Sequence, residues 1–287
     1  MNNKIENRLG LCLFFCRLSI FIVFLVWTIN KFVRPEHGVG IMKNFYLIPG
    51  LTEILIVAFG VFELIVCLLF VTGYFKRLTG GFFIILAFFS IFTPRALNGM
   101  KNGILDGWHT IMFWSALCLL ACTIIVYVMR EFDTRFTLAD KNKLNNKPIT
   151  NVEPLAWCLL FCRIAVFIVF ALWTYQKFVR PEASLEIFST YYWISGVPHS
   201  FVLIFAVIEL VMVTLLILGL YKQIVRGFFV FLSLLSVSVP GVLKGYYVAV
   251  VDHPHPTILF FTGFCVLACC FTIYSLRDYD TKFSLGR

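Results

Sequence analysis

Eight apolar stretches, each about 20 residues long, dominate the chain: 9–29, 51–72, 78–97, 109–127, 155–175, 201–218, 224–243 and 257–274. A helix needs about 20 mostly apolar residues to cross the hydrocarbon core of a bilayer. Each stretch is therefore read as a membrane-spanning helix, which makes the chain an all-α membrane protein of eight spans. Charge scarcity points the same way. Only 14% of the residues are charged, against roughly 25% in a soluble domain, too few to coat a water-facing surface of this size. The first stretch is too long for a signal-peptide core, contains Arg17, and is followed by no small-residue cleavage site. It is read as a retained helix.

The sequence repeats itself. Cys12-Leu-Phe-Phe-Cys16-Arg17 returns as Cys158-Leu-Leu-Phe-Cys162-Arg163, and Lys31-Phe-Val-Arg-Pro35-Glu36 returns unchanged as Lys177-Phe-Val-Arg-Pro181-Glu182. At the same spacing Glu63 matches Glu209 and Pro94 matches Pro240. Past one inserted residue near Pro256, Phe132-Asp133-Thr134 matches Tyr279-Asp280-Thr281. The organisation read from this is a first four-helix repeat at 1–139, a Lys- and Asn-rich linker at 140–153, and a second repeat at 154–287. An even number of spans per copy gives both copies the same topology, so two tandem bundles would be related by a pseudo-twofold axis along the membrane normal. Between the first two spans of each copy, 39–49 and 185–198 hold aromatic residues of the kind that favour the headgroup region. A short interfacial or re-entrant helix is expected there.

The net charge of +9 is better explained by the membrane than by nucleic acid, because the positive residues sort by side. Fourteen Lys and Arg fall on the side of the N-terminus and eight on the other; Arg17 and Arg163 inside the membrane complete the 24. The positive-inside rule then places both termini and the linker in the cytoplasm, with a bacterial inner membrane as the expected location.

Each unit resembles the DoxX family of four-helix membrane proteins. The resemblance rests on Arg17 and Lys31 in the first helix, on Glu63, Gly73 and Lys76-Arg77 around the second, and on Asn98-Gly99 and Asp106-Gly107-Trp108 before the fourth. A closing Phe136-Thr137-Leu138 completes it. The chain departs from the family in its tandem fusion, and in His109 and His255 standing where an acidic residue is expected. The resemblance implies association with membrane oxidoreductase complexes, thiosulfate oxidation coupled to quinone among them, often without an activity of the family member's own.

Three constellations are candidates for chemistry. The first is intramembrane charge, which is costly and is usually paired or functional. Arg17 lies about 12 Å and Glu63 about 13 Å from the N-terminal side, counted at about 1.5 Å per residue. An Arg17–Glu63 pair is expected, and an Arg163–Glu209 pair in the second copy, either as structural locks or as a site for an anionic or quinone-like headgroup. The second is a set of four Cys-x-x-x-Cys pairs: Cys12/Cys16, Cys118/Cys122, Cys158/Cys162 and Cys265/Cys269. An i, i+4 spacing puts both sulfurs on one helix face. Antiparallel first and fourth helices bring Cys16 to Cys122, and Cys162 to Cys269, at matched depth. Packing of a small apolar side chain, thiol redox cycling and binding of copper or zinc remain open for them. The third is a polar cluster on the far side, Lys31, Asp106 and His109 with Lys177, Asp252 and His255. It can bind a polar ligand or relay protons, or simply cap and anchor helices.

Two functional readings follow. In the first, the chain is a membrane subunit of a redox system, an oxidoreductase component using a quinone or thiol pool with partner proteins. In the second, it is a non-enzymatic transporter or an assembly and export factor, handling metal through its paired cysteines. No Gly-rich phosphate loop, zinc-protease motif, nucleophile elbow or Cys-x-x-Cys is present.

Overall fold

The computed structural model describes residues 3–92, 114–138, 152–238, 243 and 261–286. Among them the ordered elements are all helical. The first half holds α1 (Asn3–Val33), α2 (Pro35–Asn44), α3 (Glu53–Thr72), α4 (Lys76–Ile91) and α5 (Ala116–Val128). The second holds α6 (Glu153–Val179), α7 (Pro181–Tyr191), α8 (His199–Leu218), α9 (Lys222–Ser238) and α10 (Gly263–Ser275), followed by a 3₁₀ turn at Arg277–Tyr279.

Four of these, in α1, α3, α6 and α8, are long and apolar enough to cross a membrane. Helices α4 and α9, of 16 and 17 residues, and α5 and α10, of 13 residues each, cover parts of the other four apolar stretches, each of which continues outside the described residues. Helix α1 runs beyond both ends of its apolar stretch, because Lys4, Glu6 and Arg8 are good helix formers. It stops where Pro35 disfavours helical backbone at Arg34. That proline is at once the first residue of α2, where a missing N–H costs nothing. Pro181 does the same for α7. The short helices expected after the first span are thus present, but they begin four residues earlier than the aromatic segments suggest.

Helix α1 packs on α3 and α5, and α4 packs on α5; correspondingly α6 packs on α8 and α10, and α9 packs on α10. The halves join where α1 meets α10, where α5 meets α6, and where α5 meets α10. Buried apolar side chains form one continuous core across this seam, from Leu9 and Ile20 in α1 to Leu119 in α5, Val166 in α6 and Ile273 in α10. The opposite faces of α3 and α8 carry exposed Ile, Leu, Val and Phe, among them Ile54, Phe62, Ile204 and Val211. Apolar faces of this size are costly in water and matched to lipid.

Two glycines fix how each half closes. Gly73 and Gly219 end α3 and α8 with φ of +80° and +69°, the left-handed cap that glycine adopts without strain. A Cβ on Gly73 would lie 2.8 Å from Thr137 Cγ2, and one on Gly219 would lie 2.5 Å from Ser284 Oγ. The chain after the last helix of each half passes against this cap. Leu138 N–H donates to Thr72 O, and Leu285 N–H donates to Leu218 O, at 2.9 Å each. Among the described residues six non-glycine residues also hold positive φ, and they fall into pairs at matching positions of the two halves: Leu47 and Trp193, Phe75 and Tyr221, Phe136 and Phe283. All six side chains are exposed. Left-handed backbone is disfavoured for such bulky residues, so its recurrence at three matched points marks a shape both halves impose.

Candidate functional site

Buried charge defines two layers. In the inner layer Lys31, near the end of α1, donates from Nζ to Glu63 Oε2 in α3 at 2.6 Å, and Lys177 donates to Glu209 Oε2 at 2.7 Å. The carboxylates are 2% exposed and the lysines 15%. The lysine stem leans back toward the N-terminus of its helix, as helical side chains do, which also brings Nζ to the Trp27 carbonyl at 3.3 Å. Phe59 and Phe205 lie beneath the two ammonium groups, 5.4 and 5.7 Å from ring centre to Nζ.

In the outer layer, toward the N-terminal side, Arg17 Nη1 donates to Asp133 Oδ2 at 2.6 Å; its Nη2 donates to the carbonyls of Arg135 at 2.7 Å and Phe136 at 3.2 Å. Lys76 donates to the Asp133 carbonyl. Arg163 repeats the arrangement with Asp280 at 3.0 Å and with the carbonyls of Lys282 and Phe283 at 2.8 and 3.1 Å. Lys222 donates to the Asp280 carbonyl at 3.1 Å. Each arginine thus ties the tail of its half back onto the first helix. Burial pushes the Asp133 carboxyl above the usual carboxylate range, while Arg17 and Lys76 pull it back. Desolvation therefore takes back much of what the pairing gives, the usual balance for a buried pair.

These contacts correct the expected pairing. All four charged residues singled out in the spans, Arg17, Glu63, Arg163 and Glu209, are buried in ion pairs, but Arg17 does not meet Glu63 and Arg163 does not meet Glu209. The reason is axial stagger. A Cβ on Gly60 would touch the Lys31 side chain at 3.3 Å, so residue 60 of α3 stands level with residue 31 of antiparallel α1. On that register Glu63 is level with residue 28, about 16 Å along the axis from Arg17 at 1.5 Å per residue. Depths counted from the ends of the apolar stretches put residues 9 and 72 in one plane, a register the packing does not adopt. Asp133 and Asp280 were visible in the sequence only as part of a recurring Phe/Tyr-Asp-Thr phrase. Their recurrence was the available signal that they have a role.

Of the far-side cluster, Lys31 and Lys177 take the glutamates as partners. Asp106, His109, Asp252 and His255 lie outside the described residues.

All ten cysteines are buried and free. Cys16 is a close neighbour of Cys122, and Cys162 of Cys269. The new feature is between them: Cys122 Sγ and Cys269 Sγ stand 3.4 Å apart across the seam of the two halves. Four thiols, Cys16, Cys122, Cys269 and Cys162, therefore form a row through the centre of the molecule. The first cysteine of the α5 and α10 motifs closes the row's flanks through its carbonyl, with Cys269 Sγ 3.4 Å from Cys118 O and Cys122 Sγ 3.5 Å from Cys265 O. Cys12 and Cys158 lie further out along α1 and α6. Among the described residues no three His, Cys, Asp or Glu converge as a group that could hold a metal ion. Ser115 and Thr262 hydroxyls also meet across the seam at 2.5 Å, and Cys16 Sγ approaches Thr272 Oγ1 at 3.4 Å.

Apolar helices, lipid-suited outer faces and, among the described residues, buried charges held in ion pairs define a helical integral membrane protein. The family model of DoxX matches residues 12–95 of this chain, a span that contains Arg17, Lys31, Glu63 and Lys76. No curated protein and no solved structure matches significantly.

Proposed function

We propose that this chain is a membrane subunit of a redox system, exchanging electrons with a quinone or thiol pool alongside partner proteins. The observation that carries the reading is the row of four thiols at the seam, centred on Cys122 and Cys269 at 3.4 Å. A disulfide needs sulfurs at about 2.05 Å, so these two must close by roughly 1.4 Å. In the step proposed, the two S–H bonds break and one S–S bond forms. A quinone receives both protons and both electrons and leaves as quinol. Cys16 and Cys162 stand at the ends of the row, placed to attack that disulfide and pass it outward by exchange.

The experiment treats membranes containing the full chain with a short-chain quinone analogue and maps the peptides. The expected result is a Cys122–Cys269 disulfide with one quinol formed per bridge, both abolished by Cys122→Ala or Cys269→Ala. A chain whose ten thiols all remain free while quinone is unchanged would leave the cysteines with packing alone.

The same reading takes the chain as two four-helix units, 1–139 and 154–287, joined by a cytoplasmic linker at 140–153, with eight spans in a bacterial inner membrane. Support for a pseudo-twofold axis comes from the seam, where the Ser115–Thr262 and Cys122–Cys269 contacts each join residues 147 positions apart. That is the spacing of the repeat beyond Pro256, so each residue meets its own equivalent, as at a twofold interface. Reporter fusions after Lys147 and after Arg287 should read as cytoplasmic and a fusion after Lys43 as external; an external signal at Lys147 would reverse the orientation. The Lys31–Glu63 and Lys177–Glu209 pairs favour a second reading, transport coupled to protons, since paired carboxylates at membrane depth serve as relays. Proton flux in vesicles that is lost in Glu63→Gln would support it.

A further inference from the structure

Among the described residues the two halves differ at one buried charged position. Where α4 has Gly80, α9 has Arg226, and Arg226 is only 1% exposed. Its Nη2 joins Arg163 on the same Asp280 oxygen, and its Nη1 donates to Ile273 O at 3.0 Å. One carboxylate therefore faces two guanidinium groups, with the Lys222 ammonium on its own backbone carbonyl. Arg163, Arg226 and Lys222 against Asp280 leave two positive charges in excess; Arg17 and Lys76 against Asp133 leave one. The neighbouring Arg277 and Asp278 cancel each other. Burial and then the Arg226 charge hold the Lys222 ammonium below the usual lysine range, as crowded cations do. Uncompensated charge of this kind at a membrane edge calls for a counter-anion.

The surroundings say which anion. Lys222 is half-buried; among the described residues its ammonium uses one proton on Asp280 O, of the three it carries. Around it stand exposed apolar side chains: Tyr221 at 70%, Ile224 at 69%, Phe283 at 77% and Leu285 at 73%. They belong together, because Leu285 N–H bonds Leu218 O and Arg163 bonds Phe283 O. A cationic centre with an apolar rim, on the side of the membrane richer in Lys and Arg, matches a molecule that is anionic at one end and apolar at the other. We propose that Lys222, with the buried charge of Arg226 behind it, binds the phosphate of an anionic phospholipid, whose acyl chains lie along Tyr221, Ile224, Phe283 and Leu285. The site is assigned to the second half, since the first has the rim, Phe75, Leu78, Phe136 and Leu138, but has Gly80 where Arg226 stands.

The test uses the full chain in neutral detergent, with lipid retention read by native mass spectrometry and stabilisation read by thermal shift. Phosphatidylglycerol is compared with phosphatidylcholine of the same acyl chains and with inorganic phosphate. The expected result is preferential retention of phosphatidylglycerol, weakened about fivefold in Arg226→Gly, the scale of one basic side chain at an anionic surface. Lys222→Gln, at a half-buried position that leaves the Arg163–Asp280 pair in place, should weaken it similarly and answers the question if the Arg226 variant does not fold. Lys76→Gln in the first half should change it less than twofold. Equal retention of the two lipids by the native chain, or of phosphatidylglycerol by the native chain and Lys222→Gln, would overturn the proposal. Stabilisation by inorganic phosphate matching that of the lipid would overturn the lipid in favour of a free anion.

Discussion

Removing Arg17 should cost about twice as much stability as removing Arg163, although the two sit in the same motif. Among the described residues Arg17 is the only guanidinium on Asp133, and it also satisfies the Arg135 and Phe136 carbonyls. Arg17→Leu leaves a carboxylate that is 1% exposed with only Lys76 nearby, and Lys76 holds the backbone oxygen rather than the side chain. An orphaned buried charge costs roughly 3–5 kcal/mol, so about 4 kcal/mol is expected. In Arg163→Leu, Arg226 remains on Asp280 Oδ2. The loss is then that of one charge-assisted bond and two carbonyl contacts, about 2 kcal/mol. Thermal unfolding of the purified chain in one detergent reads the difference. At about 2 °C per kcal/mol for a chain of this size, the Arg17 variant should unfold about 4 °C below the Arg163 variant. Adding Arg226→Gly to Arg163→Leu should remove the gap, because Asp280 is then as isolated as Asp133. Equal midpoints for the two single variants, or a lower one for Arg163→Leu, would show that Arg226 does not share the load and that the count of cations around each aspartate is the wrong measure.

The inner pairs give a different asymmetry. Lys31→Met strands Glu63 at 2% exposure and should cost about 3 kcal/mol, whereas Glu63→Gln leaves a flexible lysine able to reach toward the headgroups and should cost about 1 kcal/mol; denaturant titration of both variants orders them. Gly73→Ala and Gly219→Ala should each destabilise by more than the about 1–2 kcal/mol of a positive φ, since the new Cβ would also press on the tail, on Thr137 Cγ2 at 2.8 Å and on Ser284 Oγ at 2.5 Å. A loss of thermal stability no larger than the φ cost in both variants would contradict the close approach of the tail. Cys122→Ala with Cys269→Ala, in an otherwise native chain, should fold normally and lose the quinone-induced crosslink, which non-reducing peptide mapping detects.

Much of this protein can be read from its sequence. Apolar stretches of membrane-crossing length determine helices because a bilayer offers the backbone no other partner, and the recurrence of Cys-x-x-x-Cys-Arg and Lys-Phe-Val-Arg-Pro-Glu predicts contacts that come in matched sets. Pro35 and Pro181 mark where the first helix of each half must break. The charged residues that matter inside the spans were legible too, since an ionisable side chain among 20 apolar neighbours has few reasons to be there. Their partners were not. Partner choice depends on the axial stagger of packed helices, which is set by how the small Gly60 lets α3 settle against Lys31 and Phe32, and no count of residues from a helix end contains that shift. The tail residues Asp133 and Asp280 become partners only because Gly73 and Gly219 turn left-handed and let the chain pass close enough to Arg17 and Arg163. The meeting of Cys122 with Cys269 likewise needs two helices from opposite halves to cross at a shared depth. One-dimensional sequence specifies which faces are apolar and which groups must be paired; only tertiary packing, where whole helices slide and rotate to bury those faces together, decides with whom.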